Sequence, residues 1–193
     1  MIDKYRVYLC NAYANLSFPK GSQIETDAYI KGINLTISIQ ISEQHPKPMA
    51  MADIFHNFPI EVTTDKVFEA ISQSEGLDKW WTKGSVVNPA PGGMYTLDFG
   101  PGYVWKAIVT AYVKASIFEL KMTEADDDWQ GTKIGFNLIN RQGKTDVNFY
   151  HTGWPQKNEH YKISSYCWAM YLRILKRHLE YGEWVPYEKR LQV

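Results

Sequence analysis

Four turn-forming stretches, FGPG (99–102), VKAS (113–116), EADDDWQG (124–131) and NRQG (140–143), cut the middle of this chain into strand-like runs. A parallel connection needs a crossover of about a dozen residues or more. These turns are shorter, so the runs they join are antiparallel neighbours, and any fold for the chain has to be built on a meandering sheet. Six such runs or fewer are expected after NPAPGG (88–93).

Alternation shows which face of that sheet is dry. Tyr95, Leu97 and Phe99 share one side, as do Phe118, Leu120 and Met122, then Ile134, Phe136 and Leu138, then Val147, Phe149 and His151. The opposite positions carry Thr96 and Asp98, Glu119 and Lys121, Lys133 and Asn137, Asp146 and Asn148. Side chains alternate faces along a strand, so one side is apolar and the other solvated.

Two helical signals flank the runs. Upstream, IFHNFPIEV (54–62) reads as a strand, Thr64 as the cap of a short helix with Val67, Phe68 and Ile71 on one face, and Ser74 and Gly76 as its break. A second short helix then carries Leu77, Trp80 and Trp81. Downstream, Asn158 caps and Gly182 stops a helix of roughly six turns. Ile163, Cys167, Met170, Ile174 and Leu175 form its stripe, and Tyr166, Trp168, Tyr171 and Leu172 widen it almost around the middle turns. Such a helix needs cover on more than one side. A twisted antiparallel sheet curving around it provides that, which makes the fold class α+β.

Composition excludes several functions. Basic and acidic residues number 21 each, so the formal net charge is +0 and no broad positive field draws the chain to nucleic acid. Cys10 and Cys167 are far apart and outside any CxxC pattern, which rules out a disulfide framework and a cysteine zinc site. No membrane span or secretory signal is apparent, and a soluble cytoplasmic protein is expected. His56, His151, His160 and His178 show no metal-ligand spacing, and Asp126, Asp127 and Asp128 lack the alternation of a calcium loop. They read as a solvated turn. No metal and no cofactor is expected.

Residues 1–48 stand apart from 49–193, divided by the proline- and methionine-rich HPKPMAMADIF (45–55). KGINLTISIQIS (31–42) alternates as a strand does, with no helical unit nearby to pair it. Either it adds to a sheet edge, or the segment is an upstream extension of a chain starting at Met49 or Met51. The second reading is preferred.

The order EVTTDKVFEAIS, LDKWW, PGGMYTLDFG, NFYHTGW and SYCWAMYLRILKRHLEYG resembles the START-like (SRPBCC) superfamily, and within it the branch named after the activator of the ninety-kilodalton heat-shock protein ATPase. The resemblance covers about residues 54–183. It implies a helix-grip fold, in which a curved sheet holds the last helix and a cavity lies between sheet, helix and the two short helices. It also implies a small apolar molecule as partner, with a chaperone or a cyclase-like chemistry as alternatives. Oligomeric state is not implied.

On that reading Trp80, Trp81, Tyr95, Leu97, Trp105, Phe118, Phe136, Phe149, His151, Trp168 and Tyr171 are the candidate walls of the cavity. Neighbouring residues on a helix point about 100° apart. One of Trp80 and Trp81 is therefore expected to face inward and the other to lie at the rim. The plainer reading has both fill the core. His151 is the one candidate for a catalytic acid or base, because strand parity puts it on the dry face. Its plainer reading is a buried imidazole satisfied by backbone or a tyrosine hydroxyl.

Overall fold

The computed structural model of the protein describes residues 28–30, 33–35 and 52–192. Strands β1 (Ala28–Ile30) and β2 (Ile33–Leu35) pair antiparallel in a sheet of their own. Residues 31–32 and 36–42 of the expected upstream strand, and the candidate starts Met49 and Met51, lie outside the described residues.

From residue 52 the elements are β3 (Ala52–Ile60), α1 (Thr64–Ser72), α2 (Ser74–Trp80), β4 (Gly84–Val87), β5 (Met94–Asp98), β6 (Val104–Val113), β7 (Ile117–Glu124), β8 (Lys133–Arg141), β9 (Lys144–Trp154) and α3 (Glu159–Tyr181), followed by a 3-10 turn over Tyr187–Gln192. The strands make one antiparallel sheet in the order β3-β9-β8-β7-β6-β5-β4. This is the α+β helix grip, with α3 lying on the dry face. Strand β4, which lies before NPAPGG, has no counterpart in the sequence reading.

The expected dry positions are buried, with Phe99 half-buried. They stand in register: Phe118 faces Phe136, which faces Phe149, and Leu120 faces Ile134, which faces His151. Each large apolar side chain so buried contributes about 1.5–3 kcal/mol. The wet face has its own order. Glu119 accepts from Thr110, Lys133 and Tyr150 on β6, β8 and β9. Burial acts to raise its carboxyl, but these bonds outweigh it and hold the group below the usual range. Tyr150 reaches Glu119 by lying over Gly135, where any Cβ would collide with its ring.

Helix ends account for several corrections. The cap position of α1 is Thr63, without a side-chain bond, and Thr64 is already helical. Ser74 and Gly76 lie inside α2 rather than breaking α1, which ends at Ser72. Gly76 is there because a Cβ would run into the Ala70 backbone, so only glycine lets α2 cross α1 so closely. Ser72, Trp80 and Tyr95 donate to the last carbonyls of α1, at Phe68, Ala70 and Ser72. The carbonyls of Ala70 and Ser72, in the last turn, would otherwise be orphaned.

On α3, Asn158 accepts from the Tyr161 N–H at 2.9 Å, and Gly182 turns left-handed at φ 68°, as the sequence suggested. Tyr166, expected to widen the buried stripe, is 77% exposed, so the helix keeps one solvent face. Tyr161, Lys176 and Glu180 on α3 bond to Asp53, Pro59 and Glu61, covering much of the open edge of β3.

Candidate functional site

Trp168 is the hub of the interior. Its ring lies 4.6 Å from Phe149, 5.1 Å from Trp81, 5.7 Å from Trp129 and 5.8 Å from His151, centroid to centroid. Trp105 joins through Trp129 at 4.8 Å, and Phe136 through Phe149 at 5.1 Å. Tyr95 and Phe118 pack instead at α1, beside Phe68 and Tyr112. Leu97 is fully buried beside them in the core, and Tyr171 is half-buried against it.

The two adjacent indoles are both interior, Trp80 at 0% and Trp81 at 3% exposure, stacked at 5.8 Å. The expected rim position is therefore corrected. The 100° argument fails because Trp81 is no longer helical: at φ −120° and ψ −64° the chain leaves α2, and the second ring swings inward onto Trp168. Trp80 meanwhile caps α1 at Ala70.

His151 is fully buried and fully engaged. The indole N–H of Trp168 donates to Nδ1 at 2.9 Å. An indole nitrogen can only donate, so Nδ1 carries the lone pair and Nε2 carries the proton. Nε2 lies 2.9 Å from the Thr132 hydroxyl, which passes its own proton to the Trp129 carbonyl at 2.6 Å. Burial, with His160 adding to it, pushes the imidazole well below its usual 6.5. A general base needs a free lone pair, and neither ring nitrogen offers one. Its partners are an indole and a threonine, not the backbone or tyrosine expected from the sequence.

The acidic turn is also corrected. Asp128 accepts from the Asn158 amide at 3.0 Å and faces Nδ1 of His160 at 3.0 Å, while Asp126 lies 3.9 Å from the other ring nitrogen. These contacts tie the β7–β8 loop to the start of α3. Burial raises the Asp126 carboxyl, against the pull of His160. Trp129, in the same loop, is thereby folded inside against Trp105, His151, Trp154 and Trp168.

Sequence reasoning missed Trp129, Trp154, His160 and Arg190. Trp154 breaks strand parity because Gly153, at φ 84°, and an irregular register between β3 and β9 rotate it inward. The glycine before it was the available signal. Among the described residues, five buried side-chain polar atoms have no hydrogen-bond partner, and four of them gather here: Trp129 Nε1, Trp154 Nε1, His160 Nε2 and Ser164 Oγ. His160, Ser164 and Trp168 follow one another at helical spacing on the same face of α3.

The opposite end is closed by the chain after α3. Arg190, 1% exposed, donates to the carbonyls of Val185, Thr82 and Asp78, the last two at the C-terminal end of α2, while Tyr187 donates to Phe99. Outside the interior, grooves of about 310 and 240 Å³ flank α3 and share Arg173 in their walls. None of the candidate wall residues lines either groove. Among the described residues, no group of three or more metal-ligating side chains converges, and no helix is long and apolar enough to cross a membrane.

Comparisons place this architecture. The Aha1 dimer from Colwellia psychrerythraea is 27% identical, with 69% of this chain and 99% of that chain covered and a TM-score of 0.63. Protein BH1534 of Bacillus halodurans is 23% identical, covering 68% and 100% at TM-score 0.57. CalU16 from Micromonospora echinospora is 12% identical, covering 74% and 85% at TM-score 0.57. The last two show the fold alone. No curated protein matches. A profile described as Activator of Hsp90 ATPase homolog 1-like protein matches residues 61–180, well over half of the chain. The chain therefore belongs to the Activator of Hsp90 ATPase homolog 1-like family, a branch of the START-like (SRPBCC) type.

Proposed function

We propose that the protein binds a small apolar molecule in its interior, at the end where Trp129, His151, Trp154 and Trp168 meet. The carrying observation is the gathering of partnerless buried polar atoms inside a ring-lined region. Buried donors without acceptors cost about 1–3 kcal/mol each, and native proteins rarely leave several together unless something else fills the need. Of the residues expected to form the walls, Trp81, Trp105, Phe149, His151 and Trp168 belong to this end, with Trp80 and Phe136 one ring behind. Tyr95 and Phe118 lie away from this end, at α1, while Leu97 and Tyr171 belong to the same apolar core.

Mass spectrometry of small molecules released from natively purified protein tests this directly. A stoichiometric apolar compound is the expected result. Its absence, together with unchanged tryptophan fluorescence across a panel of apolar ligands, overturns the reading.

A second reading, action on a chaperone, is favoured by the description of the family and by likeness to the Colwellia Aha1. ATPase rates of the purified ninety-kilodalton chaperone with and without the protein decide it, and unchanged rates remove it.

A further inference from the structure

Strand β3 is an edge of the sheet, so half of its main-chain N–H and C=O groups have no strand of that sheet beside them. The Pro59 carbonyl is one of these, because it accepts from Lys176 on α3. The register of β3 on β9 is unbroken from Ile54 to Ile60, and every second residue of a strand turns its N–H and C=O to the same side. Asn57 therefore presents both groups outward as well. Tyr161 covers the edge at Asp53 and Lys176 covers it at Pro59, and Asn57 lies between these two anchors.

The groove of about 240 Å³ between β3 and α3 opens at this place. Asn57 and Phe58 line it from the strand, and Leu172, Arg173 and Lys176 line it from the helix. No carboxylate is among its lining residues, and Lys176 is already paired with Glu180 at 2.7 Å. Arg173 is exposed, and among the described residues it makes no hydrogen bond or ion pair. One positive charge is thus left over, beside apolar side chains and an outward main-chain donor and acceptor.

Those three features match one chemical unit. An extended peptide pairs with a strand edge through its main chain and seats a side chain in the adjoining pocket. A guanidinium fork takes a carboxylate through two parallel bonds. We propose that the groove binds the carboxyl end of an extended peptide with an apolar last residue. Its main chain bonds to Asn57, its last side chain packs on Phe58 and Leu172, and its terminal carboxylate meets Arg173. A simple anion would use Arg173 alone, and an uncharged segment would leave that charge uncompensated. None of Trp129, His151, Trp154 and Trp168 lines this groove, so the site goes beyond the interior reading and stands without it.

Three probes test the assignment on the 15N-labelled full chain: N-acetyl-Gly-Ser-Leu with a free carboxylate, the same peptide as its C-terminal amide, and 4-methylpentanoate, which keeps the last side chain and the charge but has no main-chain amide. The free acid is expected to move the Asn57 backbone amide and the Arg173 side-chain signal. It should bind about five- to tenfold more tightly than either of the others, since each lacks one kind of hydrogen bond. Arg173→Gln, at an exposed side chain without partners, should keep the fold and abolish the preference for acid over amide. Equal binding of acid and amide, in the wild type, removes the role of Arg173 and overturns the proposal. Equal binding of 4-methylpentanoate and the peptide makes the groove a simple anion site and also overturns it. Silence of the Asn57 and Arg173 signals with all three probes does the same, while leaving the interior reading untouched.

Discussion

The indole N–H of Trp168 and Nδ1 of His151 lie 2.9 Å apart, and that bond fixes the tautomer of a fully buried imidazole. A proton added at Nδ1 would set two donors against each other. The folded protein therefore holds His151 neutral, whereas the unfolded chain titrates it near 6.5.

A pH dependence of stability follows. The folded pKa is depressed, so the unfolded state takes up the extra proton below about pH 6.5; stability present above that pH is lost as pH falls. His56, lowered chiefly by burial, acts with the same sign. Unfolding free energies from urea titration should fall, as pH drops from 6.5 to 5, with a slope approaching about 1.4 kcal/mol per pH unit from His151, and His56 adds a smaller contribution of the same sign. A flat or rising profile in that window contradicts the assignment.

Removing only the donor tests the bond. Trp168→Phe keeps most of the ring contacts but leaves Nδ1 unpaired in the core. A loss of about 1–3 kcal/mol is expected for that atom, with a further cost for the smaller ring. The 15N shift of Nδ1 should change at the same time, and an unaltered shift would place the hydrogen bond elsewhere.

Gly76→Ala separates propensity from packing by sign. In the interior of a helix alanine is better than glycine by about 1 kcal/mol. Here the added carbon meets the backbone of Ala70, and a loss of about 2–3 kcal/mol is expected instead. A higher melting temperature for the variant would show that α1 and α2 do not cross as described.

At the β8–β9 hairpin, Gln142 and Gly143 both have positive φ, 55° and 89°, between paired Arg141 and Lys144. This two-residue turn suits Asn-Gly, and glutamine bears the strain of the left-handed conformation. Gln142→Asn should raise stability by up to about 1 kcal/mol, measured as a shift in urea midpoint at constant slope.

Arg190→Ala should destabilise by about 2–4 kcal/mol, since it leaves the buried carbonyl of Thr82 and the half-buried one of Asp78 without donors. Lysine should restore only part of this, because one ammonium cannot replace a planar fork. Faster hydrogen exchange in α2, ahead of the sheet, is the accompanying signature.

The sheet was legible because short turns and strict alternation leave little freedom: Tyr95, Phe136 and Phe149 fall where parity puts them. Asn158 and Gly182 were legible as chemical stop signs. Other features depended on departures from regularity. Trp81 leaves its helix one residue early, and Gly153 shifts Trp154 by half a strand period. Trp129 lies in a run of aspartates that local composition marks as solvated, and only the distant His160 and Asn158 turn that run into a docked loop. Such pairings across 30 or more residues carry no local signature. The site was half visible for that reason: its strand and helix walls were read, its loop-borne half was not.

Arg190 also bears on where this folded unit stops. Likeness to the family ends at residue 180, yet the guanidinium ten positions later fastens the tail to the second short helix. Trimming at the edge of the likeness would remove a fastener and uncover the flank of Trp81 and Phe99, where Tyr187 is also anchored. The cooperative molecule is longer than the recognisable one, and shortened versions would report on a frayed relative of it.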